Sequence, residues 1–164
     1  MRDFSWKNLS FALVATAALS ACGGGGGDPL PTDASSDPVA KYVGSWQSSC
    51  YKDSGASGEL RADFSKLSAN AIGGKVKAYF YIGSSCSGPV IKSETFLSNL
   101  SLTLVGDKAV AGVTVDKFQG ASDQGTAKVV LYLNGTTLQI GDTKGAKDAE
   151  GYPNSFFEYA LSRL

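Results

Sequence analysis

The chain has 164 residues, with 15 Lys and Arg, 15 Asp and Glu and no histidine, so its formal net charge is zero. Scattered, balanced charges do not form the basic patch that binds nucleic acid, so we expect no nucleic-acid partner. The absence of histidine removes the Ser-His-Asp and Cys-His catalytic arrangements and the usual zinc sites. We therefore expect a protein that is not an enzyme and holds no metal or cofactor.

Residues 1–21 are typical of a secretory signal peptide. Arg2 and Lys7 give the segment its positive start, and residues 9–19 form an apolar run. As a helix, this run would span about 16 Å, whereas the hydrocarbon core of a bilayer is about 30 Å thick. The run is therefore too short for a transmembrane anchor.

The segment Leu19-Ser20-Ala21-Cys22 resembles the lipobox of bacterial lipoproteins. The resemblance implies cleavage before Cys22 and attachment of acyl chains to this residue, which would anchor the chain to a membrane; two or more chains anchor stably. In that family an Asp after the cysteine favours the inner membrane, and here the residue is Gly23. The resemblance thus points to the outer membrane, with the protein facing the periplasm. The alternative is an ordinary signal peptide in which Cys22 is incidental.

Residues 22–40 are rich in Gly, Pro, Ser and Asp and have little to bury, so we expect a flexible tether there. The remaining residues, 41–164, have the size of a single domain. They contain two cysteines, Cys50 and Cys86. In an oxidising envelope compartment such a pair is most simply a disulfide; metal binding and a reactive thiol are the alternatives.

Alternating apolar and polar residues predict strands throughout the domain. The clearest are residues 59–64 and 75–82, in which we expect the inward side chains to be Leu60, Ala62, Phe64, Val76, Ala78, Phe80 and Ile82. Glu59, Arg61, Tyr79 and Tyr81 should then face outward, the two tyrosines forming the best exposed aromatic patch. The other expected strands are residues 42–51, 90–96, 100–104, 109–118, 127–133, 138–140 and 156–164.

The segments between these strands are predicted from turn and loop composition. Asn134-Gly135 is the strongest hairpin signal, because a type I′ turn needs positive φ at both central positions. The other expected turns and loops are residues 65–74, with one short helical turn as the alternative there, and residues 84–89, 106–107, 119–125 and 141–153. About eight short antiparallel strands without a substantial helix predict an all-β, up-and-down barrel, with a β-sandwich as the alternative.

Gly44-Ser45-Trp46 resembles the Gly-x-Trp signature of the lipocalins and related calycin barrels. In that family an Arg on the last strand packs across this Trp at the closed end of the barrel. The resemblance implies this role for Arg163, through cation–π attraction and hydrogen bonds to nearby carbonyls.

The resemblance and the apolar inner faces suggest a small apolar ligand inside the barrel. Its expected lining is Trp46, Phe64, Ala78, Phe80, Leu102 and Leu131. The alternative is a solid-cored structural module that contacts another envelope protein through its surface. A ligand carrier needs an empty interior, whereas an interaction module needs a filled interior and an exposed patch.

Overall fold

The computed structural model describes residues 37–53 and 55–164. The described chain consists of a short 3-10 helix and nine β-strands. In chain order these are the helix Ala40–Tyr42 and the strands β1 Gly44–Ser48, β2 Tyr51–Asp53, β3 Ala56–Ser68, β4 Ala71–Ile82, β5 Val90–Val110, β6 Val113–Ser122, β7 Gly125–Asn134, β8 Thr137–Ile140 and β9 Leu161–Arg163. The predicted signal peptide, Cys22 and most of the predicted tether lie outside the described residues.

The strands form a closed, antiparallel, up-and-down barrel. Going round the sheet, the order is β1, β9, β8, β7, β6, β5, β4, β3, and β3 pairs with β1 again. β2 is an extra strand that pairs with β3 beyond the end of β1. The predicted eight-strand barrel is confirmed, and the sheet closes on itself instead of forming the two sheets of a sandwich.

Side chains fill the interior of the barrel. Trp46, Phe118 and Leu131 are completely buried or nearly so, and the ring of Tyr42 meets that of Phe118 edge-on with centroids 5.6 Å apart. An eight-strand barrel is just wide enough for its own side chains to occupy the centre. Val39 also belongs to this core, so packed residues extend into the end of the segment assigned to the tether.

The long loop 141–160 builds a second, smaller core on the outside of the barrel. Tyr152 in this loop packs against Val115 of β6 and Val130 of β7. Lys108 holds the loop down through hydrogen bonds to Asp148, 2.5 Å away, and to neighbouring loop oxygens. The hydrogen bond from Lys108 keeps the pKa of Asp148 below its ordinary value. This loop was predicted from its polarity, which does not reveal that it covers a wall of the barrel.

The loop predicted at residues 65–74 is wrong. β3 and β4 run through it and join at a tight turn of Ala69 and Asn70. Gly74 allows β3 and β4 to approach closely: a Cβ at this residue would lie 2.0 Å from the carbonyl oxygen of Asp63. Glycine in a strand often marks such an approach.

The turn predicted at residues 106–107 is also wrong. β5 runs without a break from Val90 to Val110 and joins the predicted strands 90–96 and 100–104. Gly106 has φ +142° and lies where the pairing with β6 shifts by one residue, which is the geometry of a β-bulge. The real turn is Ala111-Gly112, with φ of +50° and +83°.

The remaining differences concern element ends. Tyr42 lies in the 3-10 helix, and Ser49 and Cys50 interrupt the strand predicted at 42–51. The loop predicted at 119–125 shrinks to a turn between β6 and β7. The last strand is only Leu161–Arg163, because the residues before it belong to the covering loop. The hairpin is confirmed, but its central residues are Gly135 and Thr136, one position later than expected. Of these only Gly135 has positive φ, +58°, so the turn is not the predicted type I′.

The two adjacent glycines of β4 should respond differently to substitution. Gly74→Ala forces a Cβ into the backbone of β3 and should lower the free energy of unfolding by about 3 kcal/mol, the upper range for overpacking. Gly73→Ala meets only the side chain of Leu67, which is 59% exposed and can move, so its cost should be below about 1 kcal/mol. Urea unfolding followed by the fluorescence of Trp46 measures both; equal losses would contradict the close approach of the strands.

Candidate functional site

The closed end of the barrel is organised by Trp46 and Arg163. The Trp46 indole N–H donates a hydrogen bond of 2.8 Å to the carbonyl of Tyr42. The Arg163 guanidinium lies over the Trp46 ring, 4.4 Å from its centroid, and donates to the carbonyls of Val43 at 2.8 Å and Lys41 at 2.6 Å. The structure thus contains the contact that the lipocalin resemblance implies.

Gly44 makes room for this contact. It has φ +135°, a conformation that side chains disfavour, and a Cβ there would lie 2.9 Å from a terminal nitrogen of Arg163. Conformation and space therefore both require glycine at the start of β1.

Lys41, Tyr42 and Asp116 also lie at the closed end of the barrel. We call these three residues the plug. The Tyr42 hydroxyl donates to Asp116 at 2.8 Å, and Lys41 pairs with the same carboxylate at 2.7 Å. Burial and the neighbouring Asp116 raise the pKa of the Tyr42 phenol well above its ordinary value. These polar groups satisfy one another and act as structural parts of the closed end.

The residues expected to line a ligand cavity lie on the inner face, but four of them are packed into the core. Phe64, Leu102 and Leu131 belong with Trp46 to one cluster in which no member is more than 6% exposed. Ala78 is half-buried, and Phe80 is 36% exposed. None of the six borders either of the two surface hollows described below.

A polar network on the outer face was missed by the sequence analysis. Glu59, expected to face solvent, is only 4% exposed and accepts hydrogen bonds of 2.8 Å from Gln47, Arg61 and Tyr81. Burial of Tyr81 and its bond to Glu59 raise the pKa of this phenol. A buried carboxylate needs such donors, and here it has them.

The exposed tyrosine patch predicted on β4 is therefore wrong. Tyr81 is buried, and Tyr79 is half-buried beneath Arg61, whose guanidinium lies 4.7 Å from the ring centroid. Alternation assigned these side chains to the correct face. It could not show that neighbours on the same face cover them.

The predicted disulfide between Cys50 and Cys86 is confirmed. It links the break between β1 and β2 to the turn that follows β4, with the two Cα atoms 5.7 Å apart. On the chain-entropy model, a loop of this length contributes about 4 kcal/mol to stability. The bond therefore holds the turn of the hairpin formed by β4 and β5 against the start of β2.

At the end opposite the plug this hairpin extends past β6, while β3 remains paired along β4. β5 pairs with β4 from Val90 onwards, but its pairing with β6 begins only at Ser101. Between the two, Asn99 has φ +52° and the pairing with β4 shifts, so the strand changes course there. Within residues 37–53 and 55–164, Val90–Leu97 has no strand along its second edge. We call Val90–Leu97 the free edge.

The hairpin is unusually apolar for an exposed surface. The large exposed apolar side chains near its turn are Phe80, Ile82, Val90, Ile91 and Phe96, the last being 62% exposed. A hollow of about 590 Å³ lies beside the free edge, lined by Glu94, Thr95, Phe96, Leu97 and Gln124 of the turn between β6 and β7. A second hollow, of about 520 Å³, lies on the wall formed by β5, β6 and β7. Exposed apolar groups that cluster next to a hollow mark an interaction site more often than scattered ones do.

Comparisons with protein-family models, curated proteins and solved structures found no match for this chain. In the part of the chain that the structure describes, no helix is long and apolar enough to cross a membrane. The same part contains no group of three or more His, Cys, Asp or Glu placed to hold a metal ion.

Removing the guanidinium at the closed end should destabilise the barrel. Arg163→Ala loses two hydrogen bonds and the stack on Trp46, and should lower the free energy of unfolding by about 2–3 kcal/mol. Arg163→Lys should cost less, because an ammonium can still donate to one carbonyl. Urea unfolding followed by Trp46 fluorescence is the measurement, with Lys75→Ala on the barrel surface as control. An Arg163→Ala protein that unfolds at the wild-type urea concentration would show that this contact does not hold the barrel closed.

Proposed function

We propose that this chain is a lipid-anchored protein of the bacterial outer membrane, facing the periplasm, which binds another polypeptide along its free edge and catalyses no reaction. The anchoring rests on the lipobox resemblance of Leu19–Cys22. The disulfide between Cys50 and Cys86 supports an oxidising compartment such as the periplasm.

The free edge is the observation that carries the binding proposal. An unpaired strand presents a row of N–H and C=O groups that a second strand can pair with, and many domains bind extended segments in this way. At Val90–Leu97 this row lies beside a hollow and among exposed apolar side chains. The filled interior also favours a function located on the surface.

The edge also has features that restrict what can pair with it. Extra residues at Ile91 and Phe96 shift its pairing with β4, so the regular part is Lys92–Thr95. Bulges and charged side chains are common means by which proteins prevent indiscriminate pairing of edges. A short regular ladder that carries Lys92 and Glu94 favours a partner strand with opposite charges at the facing positions.

A small apolar ligand is the second candidate. The hollow beside the free edge receives apolar surface from Phe96 and Leu97. A ligand deeper in the barrel would have to displace packed core side chains such as Phe64 and Leu102.

A photo-crosslinking amino acid at Thr95, on the free edge, should give a discrete protein adduct in living cells. Ala109 is a matched control, because it is exposed on the same strand but paired with Thr114 of β6. An adduct from position 95 alone, seen as a shifted band and identified by mass spectrometry, supports the proposal. Equal labelling at both positions, or no adduct, contradicts it, and a small molecule that co-purifies with the unlabelled protein would then favour the ligand.

Substituting the lipobox cysteine tests the anchoring. Cys22→Ala should block lipidation and move the protein from the membrane fraction to the soluble periplasmic fraction, because the acyl chains supply the membrane affinity. Fractionation followed by immunoblotting measures this, with Cys50→Ala as a cysteine control that should stay with the membrane. A Cys22→Ala protein found wholly in the membrane fraction would refute the anchor.

A further inference from the structure

We infer that the polypeptide which pairs with the free edge is a second copy of this chain, related to the first by a two-fold axis through Ser93. This inference rests on the proposed function and names its partner. It follows from the symmetry, the length and the charge pattern of Val90–Leu97.

Symmetry limits the registers in which two copies of one edge can pair. Directly opposite residues of an antiparallel pair point to the same face of the sheet, and successive residues alternate between faces. A two-fold axis normal to the sheet keeps every side chain on its own face. Each residue of one copy must therefore lie opposite a residue of the other copy whose number differs by zero or an even number. The axis then passes beside one residue that lies opposite the same residue of the other copy.

The length of the free edge narrows the choice to two centres. The edge begins at Val90, and at its other end Ser98 is already hydrogen-bonded to Asp123 of the turn between β6 and β7. The bulges at Ile91 and Phe96 leave Lys92–Thr95 as the regular part, so a centre at Ser93 lets residues 92–94 pair, and a centre at Glu94 lets residues 93–95 pair. Centres further from the middle use a shorter part of the edge.

Charge decides between these two centres. A centre at Glu94 places two carboxylates directly opposite each other, which destabilises a strand pair. A centre at Ser93 places two hydroxyls opposite each other and sets Lys92 of each copy opposite Glu94 of the other. Opposite charges in directly opposed positions stabilise the pair.

The flanking residues are compatible with this register. The exposed apolar side chains of Val90 and Phe96 flank the regular part at its two ends. Lys92 and Glu94 now contact each other within one chain, at 2.5 Å, with side chains 63% and 51% exposed. Such an exposed ion pair contributes little, so it can be exchanged for contacts across the axis at small cost.

The test uses the full-length chain in the envelope of a Gram-negative host. Ser93→Cys places two thiols directly opposite each other, where Cβ atoms are about 5 Å apart, within reach of a disulfide after small adjustments. Non-reducing gels should show a dimer severalfold more abundant than with Thr95→Cys, a control on the same edge whose copies lie too far apart. Adding Glu94→Lys to Ser93→Cys should abolish most of the dimer. Adding Lys92→Glu as well should restore it, because the swapped pair is again complementary.

The outcomes separate this inference from the proposed function. A dimer equally abundant with Thr95→Cys, or one that ignores the charge changes, overturns the register and with it the inference. If Ser93→Cys gives no dimer while the photo-adduct at Thr95 contains a different protein, self-pairing is refuted and the binding function stands. If the photo-adduct is also missing, both fail.

Discussion

The barrel depends on the contact between Arg163 and Trp46. The seam that closes the sheet, between β1 and β9, consists of only three residue pairs, Trp46 with Arg163, Gln47 with Ser162 and Ser48 with Leu161. So short a ladder is weak by itself. The Arg163 guanidinium strengthens it by reaching the carbonyls of Lys41 and Val43, which ties the last strand to the segment that plugs the barrel. Cation–π attraction to a fully buried indole adds to these bonds.

Closure around a packed core has a consequence for function. Once Tyr42, Trp46 and Phe118 occupy the centre, an eight-strand barrel of this size has little space left for anything else. Surfaces that could bind another molecule must then come from elements that extend beyond the closed wall. Here these are the covering loop and the hairpin of β4 and β5, whose turn is held by the disulfide at Cys86.

The sequence predicted the barrel because alternation in segments such as 75–82 is a local property. It failed where a neighbouring strand decides the outcome. Gly74 and Gly106 look like loop or turn residues along the chain, yet the first admits the backbone of Asp63 and the second forms a bulge.

The disulfide and the Trp46–Arg163 contact could be predicted, since each depends on a recognisable residue pattern. The free edge could not be predicted, because it exists only where the pairing of β6 stops at Ser101 and β5 continues without it. The burial of Glu59 likewise depends on side chains from other strands.

An exposed edge strand is a hazard as well as an opportunity, because it can pair with unrelated strands. The free edge reduces this hazard by carrying one charge of each sign at alternate positions, Lys92 and Glu94. Any symmetric register that uses most of the edge must place either like or unlike charges opposite each other, and only a centre at Ser93 gives unlike ones. The bulges at Ile91 and Phe96 prevent a longer ladder that could override this preference. In the proposed dimer, selectivity would therefore come from repulsion in the alternative registers as much as from attraction in the favoured one. If acyl chains hold both copies on one membrane, the raised local concentration allows a short ladder to suffice.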